Sequence, residues 1–361
     1  MVNPKNWSCW IIPLNLSTKS KPIFGTIVLI MIYRFEILAI PDWKRCFMNA
    51  EKISRYRLSE AVLFNQYKLS PVEHFIYIEK YNIQIRVLTA GKGQPVLFIH
   101  GAPNAGSTWA QLVSFMPDFT CVMIDRPGCG LSDTLQYDLK SVDDVTDMIV
   151  TLIESVLDYF NYEEISIVAS SLGGYLSMLY VLKRNGKVKK LILEGCPALV
   201  EEMNIPTFLK WLIAPVIRWI APNIPTSKSF LKRILIEMGH GYSVYNDLMP
   251  EVFVQWYVCL FNMTNTQKND IALISQLMQG GETNAQFLLK DFEIIKIKQP
   301  TLWLWGEEDP FGGKEIGERI NGKMINSRFI FFENSGHLPW IDNPSIHANK
   351  MREFLMADLK I

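Results

Sequence analysis

The stretch VASSLGGY, residues 168–175, closes an apolar run, ISIVASS (165–171), and opens a stretch patterned as a helix. Two adjacent hydroxyls, Ser170 and Ser171, share this corner with Gly173 and Gly174. A serine presented at a sharp strand-to-helix turn holds a strained backbone conformation, so the residues two before and two after it must be small. Around Ser171 those neighbours are Ala169 and Gly173; around Ser170 they are Val168 and Leu172. Ser171 is therefore the candidate nucleophile. Taken alone, Ser-Ser-x-Gly-Gly is also compatible with an ordinary tight packing turn.

A serine hydroxyl needs a base, and the base needs an orienting partner. GEEDPF (306–311) places Asp309 just past an apolar run, and SGHLPW (335–340) places His337 just past the next. Chain order Ser171, Asp309, His337 is the order of an α/β sheet with a nucleophile corner. Glu307 and Glu308 are rival acids, with Asp309 preferred. Of the other histidines, His74 begins a strand, His240 lies in an inserted segment and His347 in the last helical pattern. His100 is read as a structural tie within its own loop. An oxyanion formed at Ser171 needs two preorganised N–H donors. The backbone of Leu172, after the nucleophile, and of Ala102, in HGAPNAGSTW (100–109), are the candidates.

The corner belongs to a longer alternation. Short apolar runs recur at PVLFIHG (95–101), TCVMIDRPG (120–128), ISIVASS, VKKLILEG (188–195), PTLWLWGEED (300–309) and SRFIFFENSGH (327–337). EHFIYIEKYNIQIRVLTAG (73–91) alternates about a polar turn and reads as a hairpin. SVDDVTDMIVTLIESVLDYF (141–160) has a helical stripe through Val145, Ile149, Leu152 and Val156, with Ser141 as its N-cap. NAEKISRYRLSEAVLFNQY (49–67) carries helical spacing through Ile53, Tyr56, Val62 and Leu63. Short apolar strands alternating with amphipathic helices specify an α/β fold with a mostly parallel sheet covered on both faces. From 197 to 291 the alternation stops. This aromatic-rich segment, broken by Pro206, Pro215, Pro222, Pro225 and Pro250, reads as a helical cap. It must pack at the rim of strand C-termini, where ligands bind in open α/β sheets. The core then comprises 49–196 and 292–361.

Bulk properties bound the function. The 36 basic and 36 acidic residues cancel, so no charge excess points to nucleic acid. Six scattered cysteines form no C-x-x-C pair and no metal-ligand spacing, which implies no metal and a reducing, cytoplasmic setting. Cys121 and Cys196 read as buried thiols. Residues 1–48 hold no strand and no site motif. Within them, 23–40 (IFGTIVLIMIYRFEILAI) is apolar but interrupted by Arg34 and Glu36. Its eleven Ile, Leu, Val and Phe residues favour insertion by roughly 3 to 7 kcal/mol, and two central charges at about 3 kcal/mol each nearly cancel that. A membrane anchor and an extension without structural consequence both stay open.

Together, FIHGAPNAGSTW, DRPGCGLSD, ASSLGG, GEEDPF and SGHLPW resemble, in order and spacing, the motifs of the α/β-hydrolase fold superfamily over about residues 72–358. The resemblance implies an eight-stranded, mostly parallel sheet, a helical cap and a Ser-His-Asp hydrolase that needs no cofactor. Ala169 stands where many members carry glycine, and it keeps the corner small. Dehalogenases and epoxide hydrolases that resemble this fold use a carboxylate where this chain has Ser171. The expected activity is hydrolysis of an ester or thioester of a small hydrophobic substrate through an acyl-enzyme. Carbon–carbon bond hydrolysis of a ring-cleavage dioxo acid and proline-releasing aminopeptidase activity are the alternatives. For the former, Arg218, Lys228, Lys232 and Arg233 would hold the acid, unless they form a solvated face. A non-catalytic binding module would be expected to have lost one of the three site residues, and none is missing.

Overall fold

A computed structural model describes residues 42–279 and 281–357. Its sheet has eight strands: β1 (Val72–Ile78), β2 (Ile83–Ala90), β3 (Gln94–Ile99), β4 (Phe119–Ile124), β5 (Ile165–Ser170), β6 (Val188–Glu194), β7 (Thr301–Gly306) and β8 (Ser327–Phe332). They lie in the order β1-β2-β4-β3-β5-β6-β7-β8. β2 pairs antiparallel with β1 and β4, and every later pairing is parallel. Each apolar run and both halves of the hairpin thus became a strand.

The period of two explains why the runs are apolar throughout. Leu97, Ile99, Ile167, Ala169, Leu191 and Leu193 face one buried layer. Val96, Phe98, Val168 and Ile192 face the other. The first layer is closed by helices α2 (Val142–Phe160) and α3 (Leu172–Lys183). The second is closed by α7 (Pro344–Met356) and by the segment between β6 and β7. Helix α2 begins as its sequence indicates: Ser141 Oγ accepts from Asp144 N–H and the Asp144 carboxylate accepts from Ser141 N–H. Replacing such a cap with alanine costs about 1 kcal/mol.

Helix α1 (Asp42–Gln66) corrects one expectation. Tyr56 and Leu63 are buried, but Ile53 and Val62 are 43% and 51% exposed. The inward face is Tyr56, Glu60 and Leu63, spaced i, i+4, i+7. Its centre is a carboxylate, which an apolar-stripe reading passes over. Glu60 is tolerated inside because Arg86 pairs with both of its oxygens, at 2.9 and 2.7 Å, and also contacts Asp125 at 3.3 Å. A buried charge with a bidentate partner avoids the desolvation cost that a lone one would carry.

Between β6 and β7 the chain forms three longer helices, α4 (Lys228–Leu235), α5 (Glu251–Met263) and α6 (Thr266–Leu277), among shorter ones. A two-residue hairpin, Met278–Gln279 with Glu282–Thr283, is a strand pairing that the sequence pattern did not suggest. Residues 23–40 lie outside the described residues. Among those described, no helix is long and apolar enough to cross a membrane.

Candidate active site

The corner is strained where the small-residue pattern requires it. Ser171 has φ 50° and ψ −120°, a left-handed-side conformation that L side chains rarely adopt. Its neighbours show why they are small. A Cβ on Gly173 would lie 2.2 Å from the carbonyl oxygen of Ile99, and one on Gly101 would lie 2.8 Å from Ser171 Cβ. The β3 loop therefore runs against the corner at a distance only glycine permits. Ser171 faces a cavity of about 880 Å³ that Leu172, Ala102 and His337 also line. Ser170 ends β5, is 1% exposed, and its hydroxyl is buried without a hydrogen-bond partner. The two hydroxyls thus have separate environments, and only Ser171 meets the cavity.

Asp309 and His337 are brought together from the loops after β7 and β8. His337 Nδ1 lies 2.9 Å from each Asp309 oxygen. The carboxylate also accepts the Cys196 N–H at 2.8 Å on Oδ2 and the Phe311 N–H at 2.9 Å on Oδ1. Four contacts to two oxygens leave little rotational freedom. The Phe311 ring packs on the imidazole with centroids 4.2 Å apart. Gly306 is needed here, because a Cβ would stand 2.2 Å from the Gly336 carbonyl oxygen. Glu307 and Glu308, the rival acids, are exposed.

The remaining histidines have other partners. His74 bonds Thr89 within the hairpin at 3.0 Å. His347 pairs with Glu194 at 2.9 Å, sealed inside the core. His100 Nε2 accepts the Arg126 N–H at 3.1 Å, so Nδ1 carries the proton and donates to the Gly101 carbonyl at 2.7 Å. Burial, and then the Arg126 guanidinium, hold its pKa well below the ordinary imidazole value. It is a neutral tie in the loop that carries Ala102, as expected.

Several residues that hold the site carry no local sequence signal. Arg126 donates to the carbonyls of His100 and Gly101 at 3.1 and 2.9 Å and to Asp270 of α6 at 2.7 Å. The Tyr257 hydroxyl, from α5, donates to the Pro103 carbonyl at 2.9 Å. The loop after β3 is therefore held from the inserted segment. The His337 loop is held the same way. The His337 N–H donates to the Met238 carbonyl at 2.9 Å, and the Leu338 N–H donates to His240 Nε2 at 3.2 Å. His240 Nδ1 in turn bonds Asp342 at 2.8 Å. Partners about 100 or more residues apart leave no spacing to read.

The wall of the cavity is dominated by Leu, Ile, Phe and Met side chains. Of the four basic residues considered for an acid group, only Arg233 lines it. Lys228 pairs with Glu251 at 2.5 Å, Lys232 approaches the same carboxylate at 4.0 Å, and Arg218 is exposed. Cys121 and Cys196 are buried free thiols, and burial pushes the Cys121 thiol up to about 12. Among the described residues, no group of three or more His, Cys, Asp or Glu side chains is arranged to hold a metal ion.

Known proteins share this framework. The chain is 25% identical over 280 residues to the cis-3-alkyl-4-alkyloxetan-2-one decarboxylase of Shewanella oneidensis, covering 72% of this chain and 81% of that protein. It is 23% identical over 276 residues to the 2-hydroxy-6-oxononadienedioate/2-hydroxy-6-oxononatrienedioate hydrolase of Paraburkholderia phymatum, covering 74% and 87%. The solved 2-hydroxy-6-oxo-6-phenylhexa-2,4-dienoate hydrolase of Rhodococcus sp. strain RHA1 matches with a TM-score of 0.64 at 16% identity, over 80% of this chain and all of that one. At that identity the structural likeness speaks for the fold. The profile of the alpha/beta hydrolase family matches residues 96–346, from β3 through both loops that carry Asp309 and His337 into α7. On that match, and on the sheet order that accompanies it, the chain belongs to the alpha/beta hydrolase family.

Proposed function

We propose that the chain is a serine hydrolase that cleaves a carboxylic ester or thioester through an acyl-enzyme on Ser171. The observation that carries this reading is the meeting of a strained serine corner and a carboxylate-held imidazole on the wall of one apolar cavity. His337 takes the Ser171 proton as the oxygen attacks the carbonyl carbon, and the N–H groups of Leu172 and Ala102 hold the oxyanion. His337 then protonates the leaving alcohol or thiol. Water attacks the acyl-enzyme with His337 as base, so its hydroxyl joins the acyl carbon and its proton returns to Ser171. Asp309 fixes the imidazole orientation throughout. No cofactor enters the scheme. The cavity volume lies in the upper part of the usual range for small-molecule sites, roughly 300–1,000 Å³. That volume supports a hydrophobic acyl group, with room for a chain longer than the small substrate expected from sequence.

Carbon–carbon bond hydrolysis keeps one observation in its favour, Arg233 on the cavity wall, where it could meet the carboxylate of a dioxo acid. A panel of soluble acyl esters of graded chain length, run beside a ring-cleavage dioxo acid, separates the two readings. Active protein treated with an organophosphonate should carry the adduct on Ser171, and Ser171→Ala should abolish ester turnover while Ser170→Ala keeps most of it. A label on Ser170 would overturn the assignment.

A further inference from the structure

The segment between Met203 and Ile236 differs in charge from the rest of the chain. It contains Lys210, Arg218, Lys228, Lys232 and Arg233 and no acidic residue, whereas the chain as a whole is balanced at 36 of each sign. Lys210, Lys228 and Lys232 have carboxylate partners in Glu282 and Glu251, from outside the segment. Arg218 and Arg233 are exposed and form no ion pair among the described residues.

The same segment is apolar on both sides. Its inner side chains, Leu209 and Ile213, pack with Met278 under the cavity wall. Outer ones are exposed: Trp211 is 59% exposed, Val216 66% and Phe230 49%. A helical stretch that is apolar all round buries its second face against something. Contiguous exposed apolar patches mark contact with a membrane, a partner or a ligand. Trp211, Ile224 and Phe230 belong to both sets, since they are exposed and also line the cavity. The outer patch is thus continuous with the rim of the site.

We propose that this face docks on an anionic phospholipid bilayer and that the acyl chain of an ester lipid passes from the bilayer over the rim into the cavity. Aromatic and aliphatic side chains interleaved with arginine and lysine are the chemistry of interfacial membrane binding, and the five basic residues outnumber the carboxylates beside them, Glu237, Glu251 and Glu282. The alternative occupant, a second copy of the chain, would have to place Arg218 and Arg233 against themselves or against acidic residues elsewhere. The identity of the ester substrate rests on the serine-hydrolase reading above; the docking does not.

Cosedimentation of the full-length chain with vesicles tests the docking without chemistry. Ser171→Ala should bind vesicles of phosphatidylcholine and phosphatidylserine more tightly than vesicles of phosphatidylcholine alone, and less tightly as salt rises. Val216, Arg218 and Trp219 do not line the cavity. The pair Val216→Asp and Arg218→Glu should therefore weaken binding to the anionic vesicles on the order of tenfold or more. Turnover of a soluble short-chain ester and the melting temperature should stay unchanged. Should the pair fail to fold, Arg218→Glu alone carries the same charge reversal. An unchanged preference for anionic over phosphatidylcholine vesicles in the folded variant would refute the docking face, whatever residues 23–40 add to binding of both, as would a changed oligomeric state in ultracentrifugation with that preference intact. If the chain binds vesicles as described but hydrolyses no ester, the docking stands and the serine-hydrolase reading falls.

Discussion

Asp309→Asn is the substitution that the local geometry makes most informative. Both carboxylate oxygens accept from the main chain, Oδ2 from Cys196 N–H at 2.8 Å and Oδ1 from Phe311 N–H at 2.9 Å, while both lie 2.9 Å from His337 Nδ1. An asparagine can keep only one oxygen. Either orientation of its amide turns an NH2 toward a backbone N–H that previously had an acceptor. One buried donor then goes unpaired, at about 1–3 kcal/mol of stability. The NH2 also changes the imidazole: as a donor it favours the tautomer with the proton on Nε2, which cannot accept the Ser171 proton. Turnover on a soluble ester should fall on the order of a thousandfold to ten-thousandfold. Labelling of Ser171 by an organophosphonate should slow in parallel, and the denaturant midpoint should drop. Glu308→Gln, at an exposed neighbour, is the matched control and should leave all three measurements near native. Turnover within tenfold of native in a folded Asp309→Asn protein would refute the reasoning and return the acid role to another group.

Two further outcomes follow from the contacts around the His337 and Ala102 loops. Gly239 has φ 87°, and a Cβ there would stand 2.2 Å from the Glu308 carbonyl oxygen. Gly239→Ala should therefore lower stability by roughly 1–3 kcal/mol and reduce turnover, read by denaturant melts and ester assay, whereas Gly313→Ala, where a Cβ meets nothing within 4 Å, should do neither. His100 has a depressed pKa in the fold, so the unfolded chain binds a proton that the native state refuses. Its contribution is complete above the unfolded value of about 6.5 and is lost as pH falls from there toward the folded pKa. Urea midpoints should decline with acidification across that window, and His100→Asn should flatten that part of the decline.

The sheet was legible because its evidence is local. Each buried strand needs a continuous apolar run, and a nucleophile corner needs small residues at fixed offsets, so both leave marks within ten residues. The meeting of Asp309 with His337 was legible for the same reason, each lying just past such a run. The supports were not. Arg126 meets Asp270 across 144 positions, and His240 meets Asp342 across 102, with nothing near either residue to name its partner. The stripe of α1 failed differently: its buried centre, Glu60, is a charge, and only Arg86 on another element makes that position an inward one. Local periodicity reports apolar burial and is silent on polar burial that a distant partner permits.

The polar supports divide the inserted segment into two unequal parts. Helices α5 and α6 are tied to the core by Tyr257 to Pro103, Thr266 to Gly130, Asn269 to Pro127, Asp270 to Arg126 and Gln276 to Tyr137. The stretch from 205 to 235 has no such tie among the described residues. Among the described residues, the bonds of Thr226, Lys228 and Lys210 run to Asn262, Glu251 and Glu282, all within the inserted segment, and Leu209 and Ile213 pack against Met278. Apolar contact is non-directional and tolerates sliding, whereas the hydrogen bonds of α5 and α6 fix position. On the proposed reading this separates two tasks. The part that braces the loop of Ala102 is bonded in place, because a displacement there would misalign the reacting groups. The stretch that roofs the cavity is tied to its neighbours in the inserted segment rather than to the core, among the described residues. It can therefore be repacked around different acyl chains, or against a bilayer, at little cost to the geometry beneath it.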